Sequence, residues 1–69
     1  MNENIFKGKW KEFQGQAQKT WGKLTQDDLM QIEGSIKELN GKLQKHYGYN
    51  EETANKEIEK FIKENNLKD

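Results

Sequence analysis

This sequence of 69 residues lacks cysteine, proline, arginine and valine. Without cysteine it can form no disulfide, no thiolate nucleophile and no Cys-ligated metal site. Without proline its helices are uninterrupted, and without valine the residues that favour strands are scarce. All twelve cationic side chains are lysine. Their uniformity counts against a dedicated reader of phosphate or guanine, because bidentate recognition of those groups depends on arginine geometry.

Long apolar runs are missing as well. No stretch approaches the ~20 residues that a membrane-spanning helix needs. The first residues, MNENIFKGKW, have no apolar core of the kind that marks a signal peptide. We therefore expect a soluble, cytoplasmic protein without a membrane partner.

The composition gives two opposite indications about folding. Hydrophobic residues make up 30% of the chain and charged residues 35%, with a mean hydropathy of −1.30, which leans toward disorder. Seven aromatic residues and a formal net charge of zero favour a folded chain. We expect a single helical domain over residues 1–69, with a small core worth about 3–5 kcal/mol. The alternative is a mostly disordered hydrophilic chain.

The six glycines form a pattern. They fall into two sets in which the spacing is seven residues, and the sets are 26 residues apart: Gly8, Gly15, Gly22 and then Gly34, Gly41, Gly48. The first segment, Phe6–Gly22, and the second segment, Ile32–Gly48, are identical at seven of 17 positions and apolar in both copies at five more. This self-similarity indicates one structural unit used twice, with repeat units at about 6–31 and 32–62.

Apolar periodicity predicts four helices. The first is expected over about 4–21, with an apolar stripe at Trp10, Phe13, Ala17, Trp21 and Leu24. A short second helix is expected over about 26–33. A third runs from a break at Gly34-Ser35 to about Tyr47. A fourth ends at Asn65-Asn66 and has its apolar face at Ala54, Ile58, Phe61 and Ile62.

Capping residues predict where these helices begin and end. Gly22 and Gly48 are expected to be left-handed C-terminal caps. Thr25 is expected to be an N-cap that forms a capping box with Asp28, and Asn50 is expected to cap the fourth helix.

The predicted fold is all-α, a small four-helix domain built from two packed α-hairpins with a pseudo-twofold internal repeat. Neither hairpin could bury its apolar stripe alone. We therefore expect one shared core that contains both Trp10 and Trp21.

Gly15 and Gly41 fall in helix interiors, opposite the apolar stripes. Each lowers helix stability by about 1 kcal/mol relative to alanine. Three explanations remain open, namely simple tolerance, close approach of another helix, and contact with an external partner. We favour tolerance.

Few residues suggest catalysis or metal binding. His46 is the only histidine, and its position near a helix C-terminus suits the helix dipole better than a metal. Asp27 and Asp28 are adjacent on a helix and point about 100° apart, so capping explains them better than acid–base chemistry does. We therefore expect no cofactor, no metal site and no enzymatic activity.

Nucleic-acid contacts have two candidate sources. Trp10 and Trp21 could stack on bases, but both lie on the apolar stripe and core burial is the better prediction. Lys7, Lys9 and Lys11 form the most basic local patch and are candidate phosphate contacts. Lys7 and Lys11 share a helix face that Lys9 does not, and a solvated surface is the simpler interpretation.

The segments WKEFQGQAQKTWGKLTQDDL, IEGSIKELNGKLQKHYGYN and EETANKEIEKF closely resemble the CsbD-like family of small hydrophilic bacterial proteins. The resemblance covers residues 5 to about 61. It implies a protein produced in the general stress response, with two packed α-hairpins and no established enzymatic activity. It supplies no catalytic or ligand residues.

The functional prediction is a non-enzymatic bacterial stress-response protein that acts by binding or by protecting other components. The alternative is a weak nucleic-acid-binding module that uses lysine-rich helix faces. Helix-hairpin-helix DNA binders have two glycines around one residue in the phosphate-binding turn, whereas the turns WGKLT and YGYN have one each. Nucleic acid is therefore a possible partner that we do not favour.

Overall fold

A computed structural model describes residues 3–65 and contains four α-helices and no strand within that range. The helices are α1, Glu3–Thr20; α2, Gln26–Ile32; α3, Ile36–Tyr47; and α4, Glu51–Glu64. The predicted all-α class and the four predicted helices are confirmed, with ends that agree to within one or two residues. The predicted end of the last helix is Asn65-Asn66: Asn65 is the C-cap of α4, and Asn66 lies outside the described residues.

Side-chain caps begin three of the helices. Thr25 Oγ1 accepts a hydrogen bond from Asp28 N at 3.1 Å, and Asp28 Oδ2 accepts one from Thr25 N at 2.9 Å, which completes the predicted capping box. Ser35 begins α3, and Asn50 begins α4 by accepting from Thr53 N at 2.8 Å. These caps satisfy backbone donors that have no partner inside the helix.

The two predicted glycine caps have different outcomes. Gly48 is left-handed, with φ of 70°, and its N–H donates to Gln44 O at 3.0 Å. The prediction for Gly22 is wrong, because its φ is not positive. After α1 the chain turns instead through a hydrogen bond from Leu24 N to Trp21 O, and Lys23 N donates to the Tyr47 hydroxyl in α3. These bonds end the first helix without a left-handed residue.

The turn between α2 and α3 contains the other left-handed residues of the described chain. Glu33 has φ of 49° and Gly34 has φ of 82°. Glu33 N donates to Leu29 O, and Ser35 N donates to Ile32 O. The predicted break at Gly34-Ser35 is therefore confirmed as a tight turn that ends α2 and starts α3.

One core joins all four helices. Its buried members are Phe6, Trp10, Phe13, Ala17, Trp21, Leu24, Leu29, Ile32, Leu39, Leu43, Ala54, Ile58, Phe61 and Ile62. Both tryptophans belong to it, with exposed fractions of 5% for Trp10 and 2% for Trp21, so the prediction of a shared core is confirmed. Ile36 and Tyr47 are only partly buried at its edge.

Aromatic contacts pack α1 against α4. The Phe61 ring centroid lies 5.6 Å from that of Phe13 and 4.9 Å from that of Trp21. Phe13 also meets Trp10 edge-on at 5.3 Å. Edge and tilted geometries of this kind add to the stabilisation that burial gives, so this cluster anchors the last helix of the chain to the first.

Gly15 and Gly41 lie in open surroundings. Beyond the neighbouring backbone of the same helix, no atom lies within 4 Å of the position that a Cβ would take at either residue. Close approach of another helix within residues 3–65 therefore does not explain them.

None of the helices within residues 3–65 combines the length and the apolar character needed to cross a membrane.

Candidate functional site

Two of the three candidate lysines line a groove between α1 and α2. Lys7 and Lys11 are one helical turn apart on the same face, and both border the groove, whereas Lys9 is exposed and lies outside its lining. The groove has a volume of about 560 Å³. Its other lining residues are Trp10, Gln14, Leu29, Met30 and Glu33.

Two close contacts hold the walls of this groove together. Trp10 Nε1 donates a buried hydrogen bond of 3.2 Å to the backbone oxygen of Leu29, which ties α1 to α2. At Gly34, an added Cβ would stand 2.8 Å from Lys7 Cα and 3.3 Å from Lys7 O. The turn therefore rests directly on the backbone of α1, and packing fixes the position of Lys7 on the groove rim.

The charges around the groove are unevenly distributed. Neither Lys7 nor Lys11 forms an ion pair with a carboxylate in residues 3–65. Glu33 borders the same groove from the end of α2. Met30 is 63% exposed and is the large hydrophobic side chain that the described part of the chain leaves open to solvent. The groove thus combines two unpaired cations, one exposed apolar side chain and one carboxylate.

A second cluster centres on Asp28, which is 8% exposed. Its carboxylate lies 2.9 Å from His46 Nε2 and 3.5 Å from Lys42 Nζ. The His46 contact is close, but it lacks the alignment of a hydrogen bond. The pKa of the Asp28 carboxyl lies below the ordinary 3.8, chiefly because the backbone N–H of Thr25 donates a hydrogen bond to it. The Thr25 hydroxyl, His46 and Lys42 lower this pKa further, whereas burial acts to raise it.

The Asp28 cluster connects α2 to α3 and was missed by the sequence analysis. Asp28 was identified only as a cap and His46 only as a residue suited to a helix C-terminus. Nothing in the local spacing connects residues 18 positions apart, so the cluster depends on how α2 packs on α3. Asp27 is exposed while Asp28 is buried, so the two adjacent carboxyls do not converge on one site.

A polar network joins the interior of α3 to the first turns of α4. Asn40 Nδ2 donates to Glu51 O at 3.2 Å and to Asn55 Oδ1 at 2.8 Å, and Asn40 Oδ1 accepts from Gln44 Nε2. These residues line a second groove of about 570 Å³, together with Ile36, Lys37 and Gly41. Because the Asn40 side chain is satisfied on both its atoms, the network explains its burial without a ligand.

The remaining candidates fall within the structure as follows. The Trp10 and Trp21 rings are buried, which removes both as stacking platforms for bases. The residues from 3 to 65 contain no group of three or more His, Cys, Asp or Glu placed to hold a metal ion.

The profile of the CsbD-like family matches residues 4–56. This chain belongs to the CsbD-like family. The match confirms the resemblance found in the WGKLT and YGYN segments. The curated relatives of this chain are named only as proteins of the uncharacterised UPF0337 family.

The relatives match about half of the chain. A UPF0337 protein of Pectobacterium atrosepticum is 56% identical over 34 residues, which is 49% of each protein. The UPF0337 protein YjbJ of Escherichia coli is 50% identical over 34 residues, again 49% of each. A UPF0337 protein of Pseudomonas aeruginosa is 47% identical over 34 residues, 49% of this chain and 52% of the relative. The chain thus spans about half the length of these relatives. No solved structure matches it.

Proposed function

We propose that this protein is a non-enzymatic member of the bacterial stress response that acts in the cytoplasm by binding or protecting other cell components. The observation that supports this most is its membership of the CsbD-like family over residues 4–56, because the resemblance to that family implies production in the general stress response.

The geometry of the polar residues is consistent with this proposal. The buried carboxylate, Asp28, is occupied by the N-cap of α2 and by contacts with Lys42 and His46. The buried amide, Asn40, is occupied by α4. Charged residues make up 35% of the whole chain, and most of those within residues 3–65 are exposed. A surface of this kind suits binding and solvation.

The test pairs a deletion strain with a purified protein. Deletion should lower survival under osmotic or desiccation stress, and the purified chain should preserve the activity of lactate dehydrogenase through drying. A variant with Trp10→Ala, which removes a core aromatic, serves as the control for folding. Equal survival of the deletion strain under every stress, together with no preservation of the enzyme, would contradict the proposal.

A second candidate is weak nucleic-acid binding through Lys7, Lys9 and Lys11. The observation that favours it is the unpaired state of Lys7 and Lys11 on one helix face. Fluorescence anisotropy with single-stranded and double-stranded DNA at several salt concentrations tests it. Each lost lysine–phosphate contact should reduce the salt slope by about 1. Binding that is unchanged in a variant with all three lysines replaced by glutamine would exclude it.

The finer architecture remains a proposal as well. We infer that α1–α2 and α3–α4 form two α-hairpins with pseudo-twofold symmetry inside one domain over residues 1–69. Three pairs of residues that match between the two segments support this, because both residues of each pair are buried in the core. These pairs are Phe6 and Ile32, Phe13 and Leu39, and Ala17 and Leu43.

A further inference from the structure

Lys7 and Lys11, like most lysines in residues 3–65, form no ion pair, and they are distinguished by lining one groove together. Lys42 lies 3.5 Å from Asp28, and Lys56 lies 3.7 Å from Glu52 one turn away. Lys7 and Lys11 have no such partner within residues 3–65. Residues four apart on a helix bring their Cβ atoms to within about 6 Å. The α1 rim of the groove therefore presents two cations one turn apart, which can pair with two anions at the same spacing.

An apolar element lies opposite these cations. Met30 stands exposed on α2, and the groove floor beneath it is formed by Trp10 and Leu29. Methionine is flexible and polarizable, so it adapts to apolar groups of different shapes. A ligand that only carries charge would leave this element in water. The groove therefore suits a ligand that has an apolar side chain next to its anions.

Glu33 determines which class of ligand fits. Its carboxylate borders the same groove as Lys7 and Lys11. A uniform polyanion such as a nucleic acid would place negative charge next to Lys7 and Lys11 but also next to Glu33. The repulsion between like charges at Glu33 would oppose its binding. A peptide can instead place a carboxylate at each lysine and a neutral or cationic side chain at Glu33.

We propose that the α1–α2 groove docks an acidic amphipathic helix of a partner protein. Carboxylates one turn apart on that helix pair with Lys7 and Lys11, and an apolar side chain on the same face covers Met30. The proposal rests on the binding role proposed above and names the class of partner for it.

The groove is formed before any partner arrives. Gly34 contacts the α1 backbone at Lys7, and Trp10 Nε1 bonds to Leu29 O. Both contacts keep α1 and α2 at a fixed separation. A rigid site loses little conformational freedom on binding, and this favours a measurable affinity even for a small interface.

The test is a titration of the full-length, ¹⁵N-labelled chain with a synthetic helical peptide of about 16 residues, followed by two-dimensional NMR. The peptide has two glutamates one turn apart, a leucine on the same face and a lysine one turn beyond them. We expect shift changes that concentrate at Lys7, Lys11, Met30 and Glu33. A second peptide with its glutamates and lysine exchanged should cause none of these changes.

Variants of exposed residues identify the contacts. The double variant Lys7→Gln/Lys11→Gln should weaken binding of the peptide about three- to tenfold, since each exposed ion pair contributes modestly. Met30→Gln should also weaken it. Lys9→Gln is the matched control, because Lys9 is exposed on the same helix and lies outside the groove. It should leave the dissociation constant unchanged.

Several results would overturn the inference. These are shift changes confined to other surfaces, equal binding of the two peptides, or an equal loss of affinity in Lys9→Gln. Tighter binding of single-stranded DNA to the same residues would assign the groove to a polyanion instead. Full rescue of the deletion strain by the Lys7→Gln/Lys11→Gln variant would refute the groove alone and leave the proposed stress role standing.

Discussion

Gly8 and Gly34 hold matching positions in the first and second segments, yet they have different structural roles. Gly8 lies inside α1, and nothing beyond the neighbouring α1 backbone stands within 4 Å of where its Cβ would be. Gly34 lies in the α2–α3 turn with φ of 82°, and a Cβ there would come within 2.8 Å of Lys7 Cα. The same spacing in sequence thus places a replaceable glycine in one segment and a required glycine in the other.

The residue after each glycine explains the difference. Ser35 follows Gly34, and its hydroxyl accepts a hydrogen bond from Glu38 N at 3.3 Å, which begins α3. Lys9 follows Gly8 and has no acceptor atom in its side chain, so it cannot cap a new helix. The first segment therefore continues as one long helix where the second segment turns.

The largest expected effect tests the pair Trp10 and Ile36, which match across the segments. Trp10→Ala should lower the free energy of unfolding by about 3–5 kcal/mol, because it empties a core site and removes the bond to Leu29 O. Ile36→Ala should lower it by about 1–2 kcal/mol, because Ile36 is only partly buried. Urea unfolding followed by far-UV circular dichroism measures both.

Trp10→Ala could unfold so small a domain completely. The milder variant Trp10→Phe keeps the aromatic ring and removes the hydrogen bond, so it should remain folded and still be less stable than the parent. Equal losses for Trp10→Ala and Ile36→Ala would contradict the difference in burial between the two segments.

The next prediction concerns Gly34 and Gly8 directly. Gly34→Ala should destabilise the protein by about 2–4 kcal/mol, because the added methyl meets the Lys7 backbone and alanine is strained at a left-handed φ. Gly8→Ala should stabilise it by about 0.5–1 kcal/mol through helix propensity. Thermal unfolding of the two single variants gives the sign of each change in stability. Two stabilised variants would show that the turn does not rest on α1.

A third prediction concerns Asp28, whose counterpart 26 residues later is the fully buried core residue Ala54. The pKa of Asp28 is lowered in the folded state, so the ionised carboxylate contributes stability that is fully present above the ordinary 3.8. This stability is lost as the pH falls through the lowered pKa. Asp28→Asn should therefore destabilise the protein at neutral pH by about 1–2 kcal/mol, because a hydrogen bond to a charged group contributes more than one to a neutral amide.

The measurement is unfolding by urea at a series of pH values. The difference in the free energy of unfolding between the parent and Asp28→Asn should shrink as the pH falls below 3.8. Asp27→Asn is the matched control, because Asp27 is adjacent and exposed and should change stability only slightly. A difference that stays constant down to strong acid would mean that the charge of Asp28 is not what stabilises the capping box.

The features predicted correctly from sequence depend on local pattern. The helix ranges follow from apolar periodicity, and the capping box of Thr25 and Asp28 follows from residue types three apart. The burial of Trp10 and Trp21 follows from their place on the apolar stripe. Each of these needs only the chain's own periodicity and no knowledge of how the helices are arranged.

The features that were missed depend on contacts between distant residues. The conformation of Gly22 depends on a turn that Tyr47 stabilises from α3, and the contact between Gly34 and Lys7 depends on where α1 lies. For the candidate site, the shared face of Lys7 and Lys11 followed from helical spacing. Their proximity to Met30 required the packing of α1 on α2.

The smallest expected effect tests Gly15 and Gly41, the one glycine pair for which the two segments agree. Beyond the neighbouring backbone of the same helix, no atom lies within 4 Å of a Cβ at either position, so alanine should fit without a clash. Each substitution should raise the free energy of unfolding by about 0.5–1 kcal/mol, through better helix propensity and a less flexible unfolded chain. Urea unfolding of Gly15→Ala and Gly41→Ala measures this, and a loss of stability in either would mean that its surroundings are tighter than the fold indicates. If stability rises while survival under stress falls, the bare backbone serves an external partner and simple tolerance is excluded.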